Sequence, residues 1–101
     1  MRALMAKRDR LDDRTLDEFL GAHAGWHREA NALVKTFELD TYARGISFVV
    51  ELGFAAEKRD HHPDITIRWR KVTVAWTTHD AGGVTQLDLD MAQETDRLAG
   101  K

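Results

Sequence analysis

Two short apolar–polar alternations set two residues apart constrain this chain more than anything else in it. Ile65, Ile67 and Trp69 alternate with Thr66 and Arg68, and Val72, Val74 and Trp76 alternate with Thr73, Ala75 and Thr77. A period of two marks a strand with one face buried. Arg70–Lys71 is left between them and predicts a two-residue hairpin turn, although such turns favour Asn-Gly or Asp-Gly. This turn pairs Trp69 with Val72, Ile67 with Val74 and Ile65 with Trp76, so every pair on one face is apolar. A slip by one residue sets apolar against polar. The other face pairs Arg68 with Thr73, Thr66 with Ala75 and Asp64 with Thr77. Continued outward, the ladder brings His62 opposite His79, with Cβ atoms roughly 5 Å apart, and His61 opposite Asp80. Pro63 holds His62 extended and cannot donate to the ladder, so regular pairing ends near it.

The rest of the chain supplies partners for this hairpin. Residues 1–14 are mostly charged and read as a flexible tail, in which Lys7, Arg8, Arg10 and Arg14 alternate with acids; residues 15–101 form one domain. Thr15 caps a first helix, LDEFLGAH, with Asp17 and Glu18 in its first turn, and Gly21 and Gly25 end it. Trp26–Arg28 is a short strand, Glu29–Ala30–Asn31 a turn, and Leu33–Leu39 a further strand. Asp40 or Thr41 caps a second helix over residues 42–59. Its middle, GISFVVELGFAA, is apolar over most of its circumference, whereas a surface helix has one apolar stripe. Tyr42, Ile46, Val49, Gly53 and Ala56 are expected to pack on the sheet. Phe48, Leu52 and Phe54 are left to another subunit or to the first helix. Thr85 and Asp88 stand at capping-box spacing at the start of a third helix reaching Leu98, with Leu87, Met91, Thr95 and Leu98 as its buried stripe. The predicted class is α+β: a four-stranded antiparallel sheet with three helices packed on one face.

Composition narrows the chemistry. With a formal net charge of −2 over 101 residues, there is no general electrostatic case for nucleic acid or membrane binding. The absence of cysteine excludes disulfides and thiolate metal sites and fits a reducing compartment, taken as the cytoplasm. The N-terminus has no long apolar run, so neither a signal peptide nor a membrane span is expected. His23 and His27 read as surface residues, and Trp26 and Trp76 as core. Three of the five histidines remain: His61, His62 and His79. They admit three readings. One is a set of polar loop residues. Another is a metal site of three histidines and a carboxylate, although adjacent histidines in extended chain point opposite ways. The third is acid–base chemistry, since imidazoles titrating near ~6.5 give and take protons at neutral pH.

Glu57–Lys58, His61–His62–Pro63, Trp69, Lys71–Val72, Thr78–His79–Asp80, Gly83 and Asp88 together resemble the signature of the pterin-4a-carbinolamine dehydratases. The likeness extends over about residues 15–99. The resemblance implies dehydration of 4a-hydroxytetrahydropterin to quinonoid dihydropterin, which recycles the cofactor of aromatic amino acid hydroxylases. It implies His61, His62 and His79 as catalytic histidines, with Glu57, Asp60, Pro63, Thr78, Asp80 and Asp88 around the substrate. Ile65 stands where some relatives carry an aromatic. No metal or cofactor is expected, because the pterin is the substrate. The resemblance further implies a homodimer or homotetramer assembled through helix 42–59. Two other functions stay open: a protein-interaction module that partners a transcription factor, and a pterin-binding protein of molybdopterin-related metabolism with little turnover.

Overall fold

A computed structural model describes residues 8–100. In order these form α1 (Asp13–Ala22), β1 (His27–Glu29), β2 (Ala32–Glu38), α2 (Tyr42–Arg59), β3 (Asp64–Arg68), β4 (Lys71–Trp76), a 3₁₀ turn (His79–Ala81) and α3 (Gln86–Ala99). The strands form one antiparallel sheet in the order β1-β2-β4-β3. Leu33 and Phe37 of β2, Val72, Val74 and Trp76 of β4, and Ile65 and Ile67 of β3 face the helices. Lys35 shares that face. Its ammonium sits over the Phe37 ring and on Asp96 of α3 at 2.7 Å, which is why it can interrupt an apolar alternation. The opposite face is mostly polar, with buried Val34 opposite Ala75, and Thr36 and Thr73 hydrogen-bond across it at 2.9 Å.

The hairpin has the predicted faces but another register. Ile67 pairs with Val72 and Ile65 with Val74, so the two-residue turn is Trp69–Arg70 rather than Arg70–Lys71. The change amounts to two positions and preserves which side chains point inward, so matching of faces could not exclude it. Trp69 leaves the strand, takes a φ of +52° and is 86% exposed. The end of β2 fixes the turn from outside: Leu39 N–H donates to the Arg70 carbonyl at 2.8 Å, and the Arg70 guanidinium reaches Glu38 at 2.9 Å. Trp76 therefore lies opposite Leu33 and not Ile65.

α2 packs through a face turned from the one expected: Val49 and Ala56 face the core as expected, but Tyr42, Ile46 and Gly53 are exposed. Gly45, Phe48, Leu52 and Ala56 are buried, while Tyr42, Ile46, Val50 and Phe54 are exposed in a single i, i+4 row. Gly45 lies against the sheet, where a Cβ would meet Ile67 and Val72 at ordinary contact distance. Burial of Phe48 and Leu52 contributes roughly 1.5–3 kcal/mol each. An apolar surplus exists, but in residues other than Phe48 and Leu52.

The start of the fold also lies earlier than Thr15. Asp12, not Thr15, caps α1, accepting from Thr15 N–H at 2.9 Å. Leu11 is buried and its N–H bonds the Val84 carbonyl, while Arg10 bridges Thr85. The remainder of the expected tail, residues 1–7, lies outside the described residues. α1 runs through Gly21 and ends at His23, whose ring stacks on Phe19.

Candidate active site

Termination of α2 separates the two adjacent histidines. Asp60 adopts the left-handed conformation (φ 49°, ψ 44°), and its N–H and that of His61 return to the last carbonyls of the helix. Aspartate tolerates this geometry better than most residues. The turn drives His61 inward, where it is 7% exposed, and leaves His62 outside.

His61 stacks on the fully buried indole of Trp76, centroids 5.6 Å apart, and its Nε2 lies 2.6 Å from Asp88 Oδ1. Asp88 is completely buried. Its Oδ2 accepts from Thr85 N–H and from the Thr78 hydroxyl, both at 2.8 Å. Thr85 Oγ1 accepts the Asp88 N–H, completing the capping box of α3. Because Thr78 gives its own proton to Asp88, the Thr85 hydroxyl is the donor in its 2.9 Å contact with Thr78 Oγ1, and it also lies 3.4 Å from Asp88 Oδ2. Every donor in this ring is satisfied, as a buried carboxylate requires.

The same geometry fixes the tautomer of His61. A carboxylate only accepts, so neutral His61 carries its proton on Nε2. No buried side-chain nitrogen or oxygen among the described residues lacks a partner. His61 Nδ1 has no partner among the described residues, so it is the nitrogen open to solvent. It opens into a cleft of about 400 Å³ lined by Arg8, Asp60, His61, His62, Pro63, Asp64, Thr77, Thr78, His79 and Asp80.

The three histidines thus share one cleft, though not by the predicted ladder. The observed register, carried past Asp64–Ala75, aligns His62 with Thr77 rather than His79, and His61 with Thr78 rather than Asp80. His79 and Asp80 reach the cleft on the 3₁₀ turn, which a Thr78–Gly83 bridge closes at its base. Glu57 does not line the cleft; it holds exposed His62 at 2.7 Å from the helix side. Asp88 does not line the cleft; it lies beneath it, in contact with His61. Thr78 lines it, but spends its hydroxyl on Asp88. Ile65 points into the helix-facing core, away from the cleft. Among the described residues, no group of three or more His, Asp or Glu is arranged to hold a metal ion.

Two features of the cleft were missed. Arg8 falls in the stretch that the sequence marks as a tail, and no local pattern sets it apart, yet it lines the cleft. Thr85 reads in the sequence only as a helix cap, yet its capping box also places the carboxylate under His61.

Fold and cleft define a small α+β protein with a polar cleft lined by titratable side chains. A model of the pterin 4 alpha carbinolamine dehydratase family matches residues 9–98. A protein of Roseiflexus sp. (strain RS-1), assigned as a pterin-4-alpha-carbinolamine dehydratase, is 52% identical over 88% of this chain and 96% of its own length. One from Mycolicibacterium smegmatis, assigned likewise, is 44% identical over 87% of this chain and 94% of its own. The crystal structure of a transcriptional coactivator/pterin dehydratase from Brucella melitensis superposes with a TM-score of 0.87 at 32% identity, covering 91% of this chain and all of that one. A pterin dehydratase-like RuBisCO assembly factor of the alpha-carboxysome shares the fold alone, with a TM-score of 0.63 at 23% identity over 75% of this chain and 88% of its own. The chain belongs to the pterin-4a-carbinolamine dehydratase family, enzymes of the hydro-lyase class.

Proposed function

We propose that the protein dehydrates a 4a-hydroxytetrahydropterin to the quinonoid dihydropterin and water, with His61 Nδ1 as the base. The observation that carries this reading is the buried His61–Asp88 pair beneath a cleft shared with two other histidines. In the reaction the C4a–O bond breaks, the N5–C4a bond gains double-bond character, and the N5 proton is lost. Neutral His61 takes the N5 proton, and Asp88 stabilises the imidazolium that forms, as the carboxylate of a catalytic triad does. A protonated His62 or His79 gives its proton to the departing hydroxyl, so that water leaves. Each transfer is worth about 10²–10⁴-fold. Asp60, Asp64 and Asp80 surround the cleft and suit the 2-amino and N3–H donors of a pterin ring. Glu57 orients His62. The chemistry requires neither metal nor added cofactor, because the substrate is itself the pterin.

The test is direct. Purified protein added to a hydroxylase reaction that generates the 4a-hydroxypterin accelerates the appearance of dihydropterin. Tight pterin binding with no acceleration refutes the enzyme and leaves a binding protein. Such a reaction would tie the protein to an aromatic amino acid hydroxylase in the same compartment, here taken as the cytoplasm. No helix among the described residues is long and apolar enough to cross a membrane.

A second reading rests on the exposed row Tyr42, Ile46, Val50 and Phe54. It is proposed as the contact between copies in a homodimer or homotetramer. The Brucella neighbour is described as a transcriptional coactivator as well as a dehydratase, so the same row also suits an interaction module.

A further inference from the structure

We propose that Arg8 is a substrate-binding residue, which takes a carbonyl or acidic oxygen of the bound pterin. The inference rests on the dehydratase reading above and specifies it further. Arg8 lines the histidine cleft, although it lies outside the signature that identifies the family. Its position is not that of a free end. Two residues on, Arg10 forms a β-bridge with Thr85, and then Leu11 is buried with its N–H on the Val84 carbonyl at 2.9 Å. Thr85 is the residue that holds Asp88. The segment carrying Arg8 is therefore clamped to the loop that aims His61. At about 3.3 Å per residue, a position two residues from the bridge stays within side-chain reach of the cleft.

The charge arrangement supplies the rest. Asp60, Asp64 and Asp80 line the same cleft, yet Arg8 makes no ion pair or hydrogen bond with any described residue. Its five N–H donors are free for a ligand. The pyrimidine edge of a pterin presents two donors, the 2-amino group and N3–H, followed by one acceptor, the C4 carbonyl. Carboxylates suit the donors and a guanidinium suits the acceptor. An acidic group on the substituent at C6 would satisfy Arg8 by the same chemistry.

The experiment compares wild type, Arg8→Ala, Arg8→Lys and, as a control away from the cleft, Arg14→Ala. Each is assayed with a 4a-hydroxypterin bearing a neutral dihydroxypropyl side chain and with one bearing a carboxylate. Binding of the corresponding oxidised, non-reacting pterins is measured by fluorescence. Arg8→Ala is expected to raise KM and Kd about tenfold with kcat nearly unchanged, Arg8→Lys to recover part of the loss, and Arg14→Ala to behave as wild type. An equal loss with both pterins identifies the ring carbonyl as the partner. A loss confined to the carboxylate pterin identifies the side chain. KM and Kd within twofold of wild type for both pterins overturn the proposal. A wild type that binds pterin through Arg8 but never dehydrates it sinks the dehydratase reading and leaves the Arg8 assignment standing.

Discussion

Replacing Asp88 with Asn exchanges one carboxylate oxygen for an NH₂ and probes the site at its buried end. Oδ2 serves the Thr78 hydroxyl and the Thr85 N–H, and Oδ1 serves His61 Nε2. An amide has a single acceptor oxygen. The two donors on the Oδ2 side retain it, which turns the NH₂ toward His61. Two N–H groups cannot bond each other, so His61 moves its proton to Nδ1. The atom facing the cleft then donates where it should accept. Loss of a general base slows turnover by about 10²–10⁴-fold. Loss of a hydrogen bond to a charged acceptor removes about 1.5–3 kcal/mol of stability. In a domain of this size that lowers Tm by roughly 10 °C. The expected protein is folded at room temperature, binds pterin and barely turns it over. Stopped-flow dehydration gives kcat, thermal melting gives the stability, and ¹⁵N NMR of His61 reports which nitrogen is protonated. An Asn variant with wild-type turnover, or a wild type with the His61 proton on Nδ1, would refute the argument.

Other outcomes follow from the same structure. His79 is exposed on its 3₁₀ turn, so His79→Ala should slow dehydration by about 10²-fold or more and shift the melt little; a variant with full activity removes His79 from the chemistry. Trp69 is strained and mostly exposed, so Trp69→Asn should gain about 1 kcal/mol, read as a higher Tm; a lower Tm would mean the indole covers apolar surface. Phe54 is 74% exposed on α2, and Phe54→Asp should dissociate an assembly built on that face, seen by sedimentation. A wild type that sediments as a monomer would rule that assembly out.

The fold was legible wherever periodicity was unambiguous. Alternation in β3 and β4 gave their faces, and the Thr85–Asp88 spacing gave the start of α3 together with its capping box. What could not be read had physical reasons. Both hairpin registers put the same isoleucines and valines inward, so hydrophobicity could not choose between turns. The choice came from Glu38 and Leu39, which grip Arg70 from a neighbouring strand. α2 is apolar nearly all round, so its pattern left the buried face undecided. In the fold it is the row through Gly45, Phe48, Leu52 and Ala56 that is buried. Leu11 is a lone apolar residue among charges, and only its partner Val84 shows that it is buried. The candidate site was legible in its residues but not in its pairings. His61 finds Asp88 across 27 positions, a contact set by how α3 docks on the sheet.

One carboxylate both begins α3 and aims the imidazole. Arming the cleft and starting that helix are consequently a single event. Helix ends open before cores do, so gentle warming should loosen the first turn of α3 while the sheet stays shut. Turnover would then fade several degrees below the main melting transition and return on cooling, a reversible fuse wired into a helix cap.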